Sequence, residues 1–255
     1  MSAPRPPVVV AANWKMHKGP DEARAFFRAL ALRRERGHPE VLVFPPAVSL
    51  AAAREARPQH VGLGLQNIHR EDAGAFTGEL SAPLALAAGA THVLVGHSER
   101  RQLFGETDAE VARKAAAALR HSLVPLVCVG ETLPERKAGR VDEVILKQLD
   151  AALRGLGRGS AGSDFLIAYE PVWAIGTGET ATPADASAAH AILRGLLREW
   201  LGGEGSRVSI LYGGSVKPDN ARELMAAPEV DGVLVGGASL DADQFAAIVD
   251  AAPER

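Results

Sequence analysis

The sequence has 255 residues, of which 47% are hydrophobic and 23% are charged. This composition excludes a disordered tail or a coiled coil and is typical of a soluble globular protein with a sizeable core. The net charge of −3 argues against a nucleic-acid-binding surface, which needs clustered Lys and Arg. The single cysteine, Cys128, cannot form an internal disulfide, and no apolar run suggests a signal peptide or a membrane span. We therefore expect a cytoplasmic protein that binds neither nucleic acid nor membrane.

Short apolar runs bounded by turn residues recur along the chain, and segments with helical spacing lie between them. The predicted strands are residues 8–12, 41–44, 61–65, 92–95, 124–129, 165–169, 208–212 and 232–235. The predicted helices include residues 21–36, 108–121, 140–153, 183–201 and 241–251. Several of these helices open with Asp or Thr-Pro, as helix starts do. Since no Pro- or Ser-rich linker interrupts the alternation, the sequence predicts one domain spanning residues 1–255.

Polar residues at strand ends distinguish a closed barrel from an open doubly wound sheet, the two folds that eight βα units fit. Asn13 and Lys15 end the first strand, His97 follows the fourth and Glu170 ends the sixth. Parallel α/β folds carry their sites at these C-terminal strand ends. With strands ~4.8 Å apart, an open sheet in sequential order would separate the first and sixth by about 24 Å. A shared site therefore predicts a closed parallel eight-stranded (β/α)8 barrel with outer helices.

Strand alternation orients the side chains near the first strand end. Residues two apart in a strand point the same way, so Asn13 and Lys15 are predicted to share a face. Trp14 is predicted to face oppositely and to pack between barrel and helix. Cys128, inside an apolar strand, is interpreted as a buried hydrophobe and not as a nucleophile. The GxGxxG match at residues 157–162 precedes a strand instead of following one, so it is interpreted as a loop.

Five short segments at predicted strand ends share a pattern of polar and glycine residues. They read ANWKM at 12–16, VGHSER at 95–100, YEPVWAIGTG at 169–178, YGGSV at 212–216 and VGGAS at 235–239. In order and spacing they resemble the signature segments of the triosephosphate isomerases, and the resemblance covers essentially the whole chain. It implies a TIM barrel and a cofactor-free enzyme that moves a proton between adjacent carbons of a triose phosphate, in glycolysis and gluconeogenesis.

Removing a proton beside a carbonyl requires a base and a group that stabilises charge on the oxygen. The resemblance implies that Glu170 is the base and that His97 is the electrophile. In the established account of this family the histidine is neutral, its pKa lowered by a helix N-terminus, which here would begin at Ser98. Lys15 is implied as the cation that stabilises the enediolate, with Asn13 as a neighbouring hydrogen-bond donor. Taken alone, Glu170 would fit a buried ion-pair partner equally well.

The phosphate group of the substrate is expected to rest on backbone N–H groups. The resemblance implies Gly176, Ser215, Gly236 and Gly237 for this role, since glycine lets a backbone approach an anion closely. A place after strands seven and eight matches the usual phosphate site of such barrels. Neither a metal nor a cofactor is expected.

Two longer segments carry further expectations from the resemblance. Residues 171–181 resemble the mobile lid of the family, which closes over the phosphate and excludes water. Glu179 stands where many relatives carry lysine, a difference that bears on the rate of lid closure. Residues 66–80 are long for a βα connection, which usually takes roughly 2–6 residues. In the family this loop, with Thr77 near its tip, inserts into a partner subunit beside Asn13 and Lys15, so we expect a homodimer.

Two other classes of protein compete with this interpretation. Another phosphate-binding barrel enzyme, an aldolase or an indole-forming synthase, would share the phosphate glycines. An aldolase needs a Schiff-base lysine on a central strand, and predicted strand six has none. A non-catalytic binding barrel would carry a damaged base or electrophile, whereas Glu170 and His97 are both present. The GxGxxA match at 176–181 lacks the acidic residue that a dinucleotide site needs further on, so the lid interpretation is favoured.

Overall fold

A closed parallel barrel forms the centre of the computed structural model, which describes residues 6–32, 38–162, 164–175 and 181–254. Its strands are β1 (Val9–Asn13), β2 (Glu40–Phe44), β3 (Val61–Leu65), β4 (His92–Val95), β5 (Val124–Val129), β6 (Leu166–Tyr169), β7 (Ile210–Tyr212) and β8 (Gly232–Val235). The strands pair in chain order, and Val10 of β1 lies opposite Val233 of β8, which closes the ring. The predicted barrel is confirmed, and the predicted strand ends lie within two residues of the observed ones.

Helices surround the barrel. They are α1 (Pro20–Ala29), α2 (Leu50–Ala56), α3 (Ala82–Ala88), α4 (Ser98–Phe104), α5 (Asp108–Arg120), α6 (Leu133–Lys137), α7 (Val141–Leu156), α8 (Pro183–Leu201), α9 (Ala221–Ala226) and α10 (Ala242–Asp250). Four of the five predicted helices are confirmed, but the prediction of a helix over 21–36 is too long, because residues 30–32 are not helical; residues 33–36 lie outside the described residues. Helix α1 ends at Ala29 because Leu30 adopts an extended backbone conformation and buries its side chain.

Strand alternation sorts the buried apolar residues into two clusters. One cluster lies inside the barrel and comprises Val9, Ala11, Leu42, Phe44, Leu94, Leu126, Cys128, Leu166, Ala168, Leu211 and Leu234. The other lies between strands and helices and includes Trp14, whose ring centroid is 4.9 Å from that of Phe26 and 5.7 Å from that of Phe27. Trp14 is completely buried, so its predicted place between barrel and helix is confirmed.

The structural predictions for Cys128 and for the GxGxxG match at residues 157–162 are also confirmed. Cys128 is a free cysteine buried in the inner cluster, as expected of a small hydrophobe. Residues 157–162 form turns and irregular backbone between α7 and β6, so the GxGxxG match is a loop. Within the described part of the chain, no helix combines the length and the hydropathy that crossing a membrane requires.

Acid sensitivity is built into the packing of α8. His190 is fully buried, and its Nδ1 lies 3.0 Å from the carbonyl oxygen of Glu229. Burial lowers the pKa of His190 from 6.5 to about 4, against the raising effect of the Glu229 carbonyl. Between pH 6.5 and about 4, His190 therefore binds a proton in the unfolded chain but not in the folded chain. Stability is unaffected above pH 6.5 and falls as the pH drops towards 4.

We expect His190 alone to cost about 2 kcal/mol of stability at pH 5 relative to pH 7. His190→Phe keeps a ring beside Tyr169, which it contacts edge-on, and removes the titration. Urea unfolding at several pH values should show a weaker pH dependence between 6.5 and 4 for the variant. An unchanged slope would show that His190 does not titrate on unfolding, whatever constant loss the substitution causes.

Candidate active site

Lys15 reaches the barrel rim through a turn and not through strand alternation. Strand β1 ends at Asn13, and Lys15 has a left-handed backbone with φ of 51°. The Asn13 side-chain oxygen accepts a hydrogen bond from Lys15 N at 3.0 Å. Gln66 Nε2 donates to the Lys15 carbonyl oxygen at 2.8 Å. Asn13 and Lys15 line one cavity, so their predicted shared location is confirmed. The prediction that strand alternation brings Lys15 there is wrong, because Lys15 lies in a turn beyond the strand.

His97 caps the helix that was expected to follow it. Helix α4 begins at Ser98, and His97 Nδ1 accepts a hydrogen bond from Glu99 N at 3.3 Å. When neutral, the ring therefore carries its proton on Nε2. That atom lies 2.9 Å from Glu170 Oε1, so β4 and β6 bring the imidazole and the carboxylate together.

Glu170 follows β6 directly and is only 2% exposed. Ser98 N donates to Oε2 at 2.9 Å and Ser98 Oγ donates to Oε1 at 3.4 Å. The neighbouring strand end approaches so closely that a Cβ on Gly130 would lie 1.7 Å from the Glu170 carbonyl oxygen. Only glycine fits there, which fixes the backbone that carries the carboxylate.

The two buried groups shift each other's ionisation. Burial lowers the pKa of His97, but the charge and hydrogen bond of Glu170 outweigh this effect and leave the pKa above its ordinary value. Burial raises the pKa of Glu170, but His97, Ser98 N and Lys15 together bring it below its ordinary value. The expected lowering of the His97 pKa is thus wrong for this arrangement, because the carboxylate contacts the ring.

Lys15 is charge-paired at the rim. Its ammonium nitrogen lies 2.6 Å from Glu99 Oε1, and both side chains are partly exposed to solvent. The Lys15 side chain extends to within 3.9 Å of where a Cβ on Gly236 would lie. Lys15 therefore lies beside the glycine turn after β8 and lines the same cavity as His97 and Glu170.

A cavity of about 380 Å³ joins these groups. It is lined by the four predicted catalytic residues and by three of the four predicted phosphate contacts, namely Asn13, Lys15, His97, Glu170, Ser215, Gly236 and Gly237. The fourth, Gly176, lies outside the described residues. Ser98, Glu99 and Gln66 are further partners of the site that were not predicted from the sequence. Ser98 and Glu99 sit inside a recognised segment, whereas nothing local marks Gln66. Among the described residues, no group of three or more His, Cys, Asp or Glu side chains could hold a metal ion.

The described N-terminal part of the expected lid is anchored to the barrel. Trp173 Nε1 donates to Glu131 Oε1 at 2.8 Å, and the Arg136 guanidinium lies 4.3 Å from the Trp173 ring centroid. Tyr169 OH lies 3.1 Å from both Glu131 oxygens. Residues 176–180, including Glu179, lie outside the described residues, so the rest of the lid stays a prediction.

Known proteins match the chain over almost its full length. The family model for triosephosphate isomerase matches residues 8–252. A triosephosphate isomerase of Moorella thermoacetica is 51% identical, over 95% of this chain and 97% of that protein. One of Solibacter usitatus is 50% identical, over 95% and 98%. The crystal structure of triosephosphate isomerase from Bartonella henselae superimposes with a TM-score of 0.85 at 41% identity, covering 96% of this chain and 98% of that one.

Fold and site together define a (β/α)8-barrel enzyme whose ionisable side chains meet at the C-terminal rim. The matches identify the kind of enzyme. The chain belongs to the triosephosphate isomerase family. It is an intramolecular oxidoreductase that interconverts an aldose and a ketose, and its substrate is a triose phosphate.

Proposed function

We propose that Glu170 is the general base in the interconversion of dihydroxyacetone phosphate and D-glyceraldehyde 3-phosphate. The carboxylate takes a proton from C1, the C–H electron pair forms the C1–C2 double bond, and the carbonyl electrons move to oxygen. The C1 hydroxyl then loses its proton as the C2 oxygen gains one, and return of a proton to C2, with the C1–O electrons forming the new carbonyl, yields the aldehyde. The 2.9 Å contact between Glu170 and His97 carries this proposal, because a base and an electrophile this close together can act on one small substrate.

His97 and Lys15 stabilise the negative charge that develops on the substrate oxygen. The Nδ1 acceptor bond from Glu99 N leaves Nε2–H as the donor, and the Lys15 ammonium adds a fixed positive charge beside it. Asn13 supports Lys15 by accepting a hydrogen bond in the turn that carries it. In the structure Glu170 Oε1 is the partner of His97 Nε2. The substrate oxygen must therefore replace the carboxylate as the acceptor of the Nε2 hydrogen.

Glu170 therefore moves during the catalytic cycle. Its oxygens are bonded to Ser98 and His97, and proton abstraction requires one of them to face the substrate carbon. Pro171, the first residue of the lid segment 171–181, directly follows Glu170. Closure of this segment therefore moves the base at the same time as it covers the cavity. The bond from Trp173 to Glu131 gives this segment a fixed point to move from. The phosphate rests on backbone N–H groups at Ser215, Gly236, Gly237 and Gly176.

The function is tested by a coupled assay on the purified protein. Dihydroxyacetone phosphate is supplied, and glyceraldehyde 3-phosphate is detected through a dehydrogenase. Turnover that disappears in Glu170→Gln is the expected result. An aldolase or a non-catalytic barrel would show no interconversion, and that outcome would defeat the proposal.

We further propose that the single-domain chain forms a homodimer in the cytoplasm. A second cavity of about 400 Å³ opens beside Asn13 and Lys15 and is lined by Met16 and Phe104 among others. These two apolar side chains are 93% and 70% exposed, which is typical of a surface that a partner covers. Every residue from 71 to 79 is exposed, as expected of a loop that inserts into a second subunit with Thr77 near its tip.

Contacts within one chain preorganise the loop formed by residues 66–80. His69 N donates to the Leu80 carbonyl oxygen at 2.6 Å and closes its neck, and Asp72 pairs with Arg120 at 2.9 Å. A preformed loop loses less conformational entropy when it docks.

We expect analytical ultracentrifugation at micromolar concentration to give the mass of two chains. Met16→Glu should shift the protein towards monomer, since it places a carboxylate in the covered cavity. Leu133→Glu, at an exposed leucine outside the cavity lining, is the matched control and should remain dimeric. A wild-type protein that sediments only as a monomer would remove the dimer proposal.

A further inference from the structure

Lys217 lines the active-site cavity at its phosphate end, and the reaction as described does not use it. The cavity wall there combines the segment after β7, the glycine turn after β8 and Gln244 of α10. Lys217 belongs to the first of these and is exposed at the cavity rim. Within the described residues, no carboxylate pairs with it.

The backbone under Lys217 is fixed by one side chain. Asn220 Oδ1 accepts a hydrogen bond from Lys217 N at 2.8 Å, and Asn220 Nδ2 donates to the Ser215 carbonyl oxygen at 3.1 Å. The same amide therefore holds both arms of the turn that carries Ser215, one of the proposed phosphate contacts. A lysine on this turn starts from a defined position only two residues away from that contact.

Among the described residues that line the cavity, Lys217 is a cation that no carboxylate pairs with. Lys15 also lines the cavity, but it is paired with Glu99 at 2.6 Å. Glu170 adds a negative charge in the interior. Of the described residues, a dianionic substrate entering the cavity thus meets Lys15, which is paired with a carboxylate, and Lys217, which is not. An unpaired charge at a cleft entrance attracts ligands of opposite sign and raises their association rate.

We propose that Lys217 is a substrate-binding residue that captures the dianionic phosphate group as the substrate enters the cavity. The phosphate then also accepts hydrogen bonds from the backbone N–H groups of Ser215, Gly236 and Gly237, while the Lys217 charge continues to stabilise it. This inference rests on the proposed function and adds a residue to its phosphate site. Because Lys217 acts before proton transfer, it affects kcat/KM and leaves kcat unchanged.

The test compares Lys217→Gln with Lys147→Gln, which makes the same change in net charge at an exposed position of α7. At low ionic strength we expect Lys217→Gln to lower kcat/KM on the order of 3- to 10-fold, and Lys217→Glu to lower it further. The difference should shrink as salt is added, since salt screens exposed charges. Lys147→Gln should behave like the wild-type protein.

Binding of inorganic phosphate, measured by calorimetry, provides a readout that does not depend on turnover. We expect its dissociation constant to rise in Lys217→Gln by a similar factor and to stay unchanged in Lys147→Gln. If the two variants match in kcat/KM and in phosphate affinity at low salt, the proposal is wrong. A fall in kcat with unchanged KM would also overturn it. Absence of turnover in the wild-type protein would defeat the proposed function instead, and phosphate binding would still decide the role of Lys217.

Discussion

Glu170→Asp is expected to lower kcat by two to three orders of magnitude while changing KM little. The substitution retracts the carboxylate by one methylene group, and a misplacement of about 1 Å can cost ~10²-fold in rate. Positioning of the base matters chiefly in the transition state, so the loss appears in kcat. The close approach at Gly130 prevents the backbone from moving inward to compensate. Steady-state kinetics in the coupled assay, in both directions, measure the effect.

Glu204→Asp provides the matched control for this prediction. It makes the same chemical change at a carboxylate whose contacts are with Gly162 and Arg207, away from the cavity lining. It should leave kcat at the wild-type value. If Glu170→Asp retained the wild-type kcat, the base would have to be another residue.

Lys15→Met is expected to lower kcat/KM on the order of 10³-fold. The substitution removes the fixed cation that stabilises the developing oxyanion, for which the loss of a single stabilising group typically costs about 10²- to 10³-fold. It also leaves Glu99, formerly 2.6 Å from the ammonium, as an unpaired negative charge beside a dianionic substrate. Both kcat and KM should therefore worsen, and the coupled assay separates the two.

Two companion variants divide this loss into its causes. Lys15→Met combined with Glu99→Gln should recover part of kcat/KM, because it removes the unpaired carboxylate. Lys18→Met is the control, since Lys18 shares the left-handed backbone of Lys15 but packs over Trp14 and Phe26. Wild-type kcat/KM in Lys15→Met would exclude an electrostatic role for this lysine.

The barrel was predictable because its strands are buried on both faces. Residues 61–65, 92–95, 124–129 and 232–235 read as short apolar runs, and their predicted bounds match those of the structure. Helices such as α5 and α8 carry Thr-based capping boxes that mark their starts. The end of α1 was harder to place, because nothing local signals the extended conformation of Leu30.

The site was predictable as a set of residues, but its geometry was not. Strand-end positions brought Asn13, His97 and Glu170 to one rim, as the barrel requires. The left-handed turn at Lys15 depends on the hydrogen bond that Lys15 N donates to Asn13 and on the one that Gln66, 51 positions away, donates to the Lys15 carbonyl. The ionisation of His97 depends on the direction of the Glu170 side chain, and a sequence pattern does not encode side-chain direction across 73 positions.

The central proposal is that Glu170 carries a proton between adjacent substrate carbons while His97 and Lys15 stabilise the intermediate. The most direct test follows dihydroxyacetone phosphate in deuterium oxide by NMR, with wild-type protein and with Glu170→Gln. A carboxylate base exchanges its proton with solvent, so deuterium should appear on the substrate carbons during wild-type turnover, and Glu170→Gln should abolish exchange and interconversion together. Interconversion without deuterium incorporation, or exchange at the wild-type rate in Glu170→Gln, would show that Glu170 is not the base.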